Sequence, residues 1–500
     1  MELSLLGARV LGSESSSYCF DDDWLSRDSE DSDYKLESAV SDITATAVML
    51  KRKARKRVEG TEDNNDAVDN VSSDCDNIAG DLWGKYIPDL VLLKIFRYVV
   101  ESAGAVPFLC RASQVCRLWY QCASNASLWK TVDLSYGGIT GNDATMQLLC
   151  RTRFSKLTDI NLSGWNSLTC NGLKLLVDTC PQLKSINLSR CRVNAMGVLY
   201  MVNKCSSLAE INLMAYGCED VVNVKMIVEI VTKCAGNLRS LNLSRNYRGG
   251  NPADSYSAVI KELATCCPNL ECLDLSNTSY LLPPLTFDLE QFQRGCQKLR
   301  ILRLTNAFIS TGHVSVGERN ESPGFPQLQE LSLGISSLIS GVSVSFSGCN
   351  GVLGRLMKSS RKLRLLDLRG WSQLTCADFQ SMPATDLAVL YISKDAEDGT
   401  LETVASKWQH SLVELHVSGL DESEASLDLA MKSLARLEVL DLEGTHISLG
   451  SVQSVLQGCP LLRSLNMSSC HRLPGDIQRE YMNEALDHLR ENIDSVAATD

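Results

Sequence analysis

Apolar and polar positions settle into one phrase that recurs down most of the chain. The form L-x-x-[LI]-x-L begins at 157 (LTDINL), 183 (LKSINL), 208 (LAEINL), 238 (LRSLNL), 270 (LECLDL) and 299 (LRILRL). It returns, with small departures, at 328, 363, 387, 412, 437 and 462. Its last apolar residues alternate at period two, the pattern of a strand with one buried face. Between copies lie helix-like stretches such as CNGLKLLVDTC (170–180) and LGSVQSVLQGC (449–459). Residues 82–134 are helix-patterned instead. There Pro88 suits a helix's first turn, where its missing N–H costs nothing. Leu92, Leu93, Ile95, Phe96 and Val99 then form a stripe too wide for one core contact, and Cys116, Trp119 and Tyr120 share a face of the next helix. DIQREYMNEALDHLREN (476–492) reads as an amphipathic helix, and residues 1–80 carry no period at all.

Strand, turn and helix repeated at this spacing predict an α/β leucine-rich-repeat solenoid, a ribonuclease-inhibitor-like horseshoe. The expected division is a disordered tail at 1–80, a helical module at 82–131, about twelve repeats at 132–475, and a capping helix with tail at 476–500. Residues between the buried leucines point onto the inner, concave strand face. Their central position runs Asn161, Asn187, Asn212, Asn242, Asp274, Arg303, Ser332, Asp367, Tyr391, His416, Asp441, Asn466. The early asparagines read as framework. The later change to Arg303, Asp367, Arg369, Tyr391, His416 and Glu443 marks a candidate patch for a protein target, with ordinary solvated strand residues as the alternative. Longer connections at 244–262, 305–326 and 334–355 could border it.

Charge and chemistry narrow the function. The formal charge of −12 argues against nucleic acid as a partner, and no apolar run is long enough for a membrane span. MELSLLGARVLGSES lacks a basic leader, so no secretion signal is expected and the location is nucleus or cytoplasm. Twenty cysteines include no CxxC pair. Several recur at fixed repeat positions: Cys180, Cys267, Cys296 and Cys459 stand three residues before a strand phrase. Cys191 and Cys470 share another position with Trp165 and Trp371. Recurrence of this kind predicts small core groups rather than ligands. All six histidines lie at 313 or beyond, without HExxH or zinc spacing, and no nucleotide or hydrolase motif is present. No metal, cofactor or intrinsic catalysis is expected. Lys51, Arg52, Lys53, Arg55, Lys56 and Arg57 read either as a nuclear-import signal or as a solvated charge run between acidic flanks such as DDDWLSRDSEDSD (21–33).

Ile87-Pro88-Asp89, Ile95-Phe96, Val115-Cys116-Arg117-Leu118-Trp119 and Leu128-Trp129, in that order, resemble the F-box. Ile87 stands where that family usually has leucine, and the segment between Phe96 and Val115 is longer than usual. Followed by the repeats, the module resembles the F-box/LRR substrate receptors. Likeness to one member extends over scattered segments from 83 to about 475, among them Arg153-Phe154-Ser155, Gly324-Phe325-Pro326 and Lys407-Trp408. The resemblance implies docking on the adaptor Skp1, and through it a cullin and a RING protein. It carries that contact onto Ile87, Pro88, Leu90, Leu92, Leu93, Ile95, Phe96, Val115, Cys116, Trp119, Leu128 and Trp129. Trp129, directly before the strand-like TVDL, could instead seal the junction between module and solenoid. A small-molecule receptor is disfavoured by a strand face made mostly of Asn, Asp and Ser.

Overall fold

One repeat accounts for most of the others. In Ser185–Asn187, Ile186 is buried between half-exposed neighbours. Asn187 Oδ1 accepts the Ser189 amide at 2.9 Å, supplying an acceptor where the strand ends and the chain turns away. Arg190 then adopts φ 57°, a left-handed conformation costing a non-glycine residue roughly 1–2 kcal/mol. Asn194 caps the helix Ala195–Lys204 by accepting the Gly197 amide at 3.0 Å. Val198, Met201 and Val202 of that helix are buried, and Cys205 and Leu208 lead into the next strand.

This grammar repeats in the computed structural model, which describes residues 87–135, 139–215, 224–246, 252–278, 285–307, 309–311, 314–335, 352–371, 374–393, 396–420, 423–475 and 477–497. The basic cluster Lys51–Arg57 lies outside the described residues. The helical module and the repeats belong to one compact unit, Ile78–Ser135 with Gly141–Asp500. The other unit, Met1–Asn77 with Tyr136–Thr140, falls almost wholly outside the description.

The strands are β1 (Thr131–Asp133), β2 (Asp159–Asn161), β3 (Ser185–Asn187), β4 (Glu210–Asn212), β5 (Ser240–Asn242), β6 (Cys272–Asp274), β7 (Leu285–Phe287) and β8 (Ile301–Arg303). They continue with β9 (Ile309–Thr311), β10 (Glu330–Ser332), β11 (Leu365–Asp367), β12 (Val389–Ser393), β13 (Glu414–Ser418), β14 (Val439–Asp441), β15 (Ser464–Asn466) and β16 (Glu480–Met482). All but β7 and β9 form a single 14-stranded sheet, parallel except for β16, which runs antiparallel to β15. β7 and β9 pair with each other as a separate ribbon.

The strand-like TVDL is the first strand, β1, ahead of the twelve phrases. Two expectations change. The 476–492 segment is not one helix: Glu480–Met482 pairs along the sheet edge, and the helix begins at Glu484. Tyr481, buried opposite Leu465, draws the chain into the extended form before the helical period starts. The long connections contain regular structure where described, namely the helix Pro252–Cys266, strand β9 with the helix Val316–Glu321, and the helix Val352–Leu356.

The recurring cysteines and tryptophans have one explanation. Trp165 Nε1 donates to the Leu134 carbonyl and Trp371 Nε1 to Leu333, each at 3.0 Å. Cys191 Sγ does the same to Leu162 at 3.1 Å, and Cys470 Sγ to Leu442 at 3.2 Å. Each side chain satisfies the carbonyl at the end of the preceding strand, so indole and thiol are interchangeable there as donors. In the other column burial pushes the Cys180, Cys267, Cys296 and Cys459 thiols up to about 12. They stay protonated, which suits a small core donor and not a metal or redox centre.

Candidate functional site

The helical module consists of α1 (Asp89–Ala103), α2 (Phe108–Ala112) and α3 (Arg117–Ala123). Pro88 stands one residue outside α1 as its N-cap, and Cys116 is likewise the extended residue before α3. The wide apolar stripe of α1 divides into two faces. Leu92 and Phe96, each 1% exposed, face inward, where Phe96 meets Phe108 and Trp119 edge-on at 5.2 and 5.1 Å. Val91, Ile95 and Tyr98, spaced i, i+4, i+7, point outward at 46%, 48% and 74% exposure. Leu90 and Val115 are also exposed.

Of the residues expected on a docking surface, Pro88, Leu90, Ile95, Val115 and Cys116 are exposed, while Ile87, Leu93 and Trp119 are half-buried. Leu92, Phe96, Leu128 and Trp129 are buried in the chain's own interior, which removes them from a partner's reach. The cause is the small size of the module, whose three short helices must spend their largest groups on their own core and on the first repeat. Val91 and Tyr98 complete the outward face and were legible only through their spacing from Ile95.

Trp129 resolves as a joint residue. Its Nε1 donates to the Ala123 carbonyl at 2.7 Å, and its ring lies 6.4 Å from Phe154 of the first repeat. Arg153, also from that repeat, stacks over the indole at 4.8 Å and donates to the same carbonyl at 3.1 Å and to Ser124 Oγ at 3.2 Å. Burial lowers the Arg153 pKa, with Cys110 and Tyr120 nearby opposing it.

The second candidate is the row that the strand register aligns from Asp274 through Arg303, Ser332, Asp367, Tyr391, His416 and Asp441 to Asn466. Eight further residues repeat the Asn187 turn: Asp133, Asn161, Asn212, Asn242, Asp274, Asp367, Asp441 and Asn466 each accept the amide two residues on. Between them the distinctive side chains form two linked groups. Arg303 pairs with Glu330, Nη2 to Oε2 at 2.9 Å, and lies 3.9 Å from Asp274. Arg369 grips Asp367 at 2.9 and 2.7 Å and lies 4.7 Å over Tyr391. Tyr391 stacks on His416 at 4.2 Å, and His416 Nδ1 meets Asp441 Oδ2 at 3.3 Å. Asn466 Nδ2 donates to the other Asp441 oxygen at 2.9 Å. Burial works against the Asp441 carboxylate, but His416, the Glu443 amide and Asn466 together hold its pKa below the usual range. Burial pushes the Tyr391 hydroxyl up to about 12. Glu443 is exposed and joins only through its backbone amide.

The family model for F-box-like domains matches residues 85–135, the span of α1 to β1. F-box protein SKIP19 of Arabidopsis thaliana is 24% identical over 219 residues, 39% of this chain and 68% of the plant protein. F-box/LRR-repeat protein 22 of the same plant is 20% identical over equal shares. The chain thus carries an F-box-like domain followed by a leucine-rich-repeat sheet, the arrangement found in F-box/LRR proteins. DNA repair protein rhp7 of Schizosaccharomyces pombe is 24% identical over 239 residues, 47% of this chain but only 37% of rhp7. The crystal structure of a yeast Rad7 and Elc1 complex aligns with 81% of this chain and 92% of its own at 17% identity and a TM-score of 0.43. Among the described residues, no group of three or more His, Cys, Asp or Glu side chains could hold a metal ion.

Proposed function

We propose that the chain is a substrate-recognition subunit of an SCF-type ubiquitin ligase. The outward face of α1 docks a Skp1-type adaptor, which brings a cullin and a RING protein, and the helix-free face of the sheet holds the target. No side chain here performs chemistry; the subunit acts by raising the local concentration of target lysines around ubiquitin carried by other proteins. The observation carrying this reading is the exposed set Leu90, Val91, Ile95, Tyr98 and Val115 on so small a module. Val91, Ile95 and Tyr98 share one helix face, apolar groups left in water together mark a binding surface, and each aliphatic one buried by a partner is worth about 1.5–3 kcal/mol before association costs.

Val91→Asp with Ile95→Asp places two carboxylates in that contact without touching the core. Capture of purified Skp1 by the doubly substituted chain is expected to weaken at least about 100-fold, with an unchanged circular-dichroism melt. Wild-type capture would refute the docking assignment and leave a ligase-independent scaffold as the better reading.

A nuclear location is part of the proposal, supported by Lys51–Arg57 and by a relative named as a DNA repair protein. Residues 45–62 fused to a fluorescent reporter are expected to concentrate it in the nucleus; an even distribution would remove this element.

A further inference from the structure

Beside the Arg369–Tyr391–His416 group runs a second aligned row, two residues earlier on each strand: Cys272, Ile301, Glu330, Leu365, Val389, Glu414, Val439 and Ser464. In β1 to β5 the corresponding positions are Thr131, Asp159, Ser185, Glu210 and Ser240, all polar. The row thus turns apolar only in the later repeats. Glu414 sits in direct register between Val389 and Val439, and all three are half-buried.

The carboxylates of these two rows from β6 to β15 are otherwise provided for. Asp274 and Glu330 face Arg303, Asp367 holds Arg369, and Asp441 holds His416 and Asn466. Among the described residues no hydrogen bond or ion pair reaches the Glu414 carboxylate. Burial raises its pKa, with the nearby Glu438 adding to the rise and His416 opposing it. A carboxylate between two valines is therefore already partly stripped of water in the free protein, so a cation arriving there meets a smaller desolvation cost.

Resting on the receptor reading above, we infer that the row Val389–Glu414–Val439 receives a lysine or arginine side chain of the bound protein target. Glu414 pairs with the cationic head. The two valines cover its aliphatic stem and an apolar neighbour in the target segment. Arg303 and Arg369, each committed to a carboxylate, border the site without offering a free charge to an acidic target.

The full chain, immobilised, is presented with a positional-scanning library of fluorescein-labelled nonapeptides. Selection of Lys or Arg at one position beside an apolar residue is expected. Glu414→Gln should weaken the selected peptide at least about tenfold. It should also raise the melting temperature, because the half-buried charge is gone. The inference is overturned by selection of Asp or Glu, by no peptide binding above a scrambled pool, or by a cation preference that survives in E414Q. A lower melting temperature for E414Q would also overturn it, by making Glu414 a structural support. Skp1 capture by the unsubstituted chain, measured in parallel, tests the receptor reading separately.

Discussion

Trp129→Ala is expected to destabilise the protein by about 3–5 kcal/mol, the range for removing a fully buried large aromatic side chain. The indole is 1% exposed and fills the space where α3, the short turn Ala126–Leu128 and the first repeat meet. Its loss opens a cavity and strips Arg153 of the ring it stacks on, leaving a buried guanidinium with fewer partners. Trp129→Phe should cost much less. It keeps most of the packing and forfeits one hydrogen bond, worth about 1 kcal/mol, to a carbonyl that Arg153 also serves. Urea unfolding of both variants tests the pair. Equal losses would mean that the hydrogen bond, not the packing, holds the joint. Because Trp129 is buried away from the outward face of α1, W129F should still capture Skp1. Failure to do so while folded would return Trp129 to the docking surface.

Arg355→Ala is expected to cost a similar amount, about 3–5 kcal/mol, by orphaning a buried carboxylate. Arg355 binds Glu290 with two hydrogen bonds, Nε to Oε1 at 2.8 Å and Nη2 to Oε2 at 2.7 Å, and reaches Thr311 at 3.2 Å. Gln293 Nε2 donates to the Arg355 carbonyl at 2.8 Å, so the contact fastens two distant repeats. Burial pushes the Glu290 carboxyl up, yet the hydrogen bonds and charge of Arg355 outweigh it and leave the pKa below the usual glutamate value. A lowered folded-state pKa gives stability that is present above the unfolded value and lost as pH falls through the folded one. Without Arg355, burial dominates and the sign reverses, so acid should relieve the variant. The gap between parent and R355A is therefore expected to narrow as urea unfolding is moved from neutral pH toward pH 4. A gap that stays constant would show that Glu290 is not the group left unpaired. Adding Glu290→Gln to R355A should recover part of the loss at neutral pH.

These two contacts also mark where the sequence stops being readable. The repeat phrase, the cysteine column and the row from Asn161 to Asn466 are periodic, so spacing alone aligns them; Asp367, Tyr391, His416 and Asp441 are placed side by side by counting. Glu290 and Arg355 lie 65 residues apart in chain order and follow no period, so nothing in the spacing pairs them. The α1 stripe fails for a different reason. Leu92 and Phe96 are chemically the same kind of residue as Val91 and Ile95. Which pair goes inward depends on where Phe108 and Trp119 arrive, information that no local pattern carries. At Glu480–Met482 the apolar residues are too few to set a period, and pairing with β15 decides the conformation.

The asparagine turns have a consequence for distance. In β2 to β5 each Asn oxygen is committed to its own turn, and the repeats there have little left to read a target with. They act as length. From β1, adjoining the helical module, to β12, which carries Tyr391, the sheet order counts nine strand spacings. At about 4.8 Å each, that is roughly 43 Å along the sheet. Excising one of these plain repeats would move the later side chains one spacing closer to α1 while leaving every contact among them intact. The early solenoid is thus an adjustable ruler, graduated in single strands.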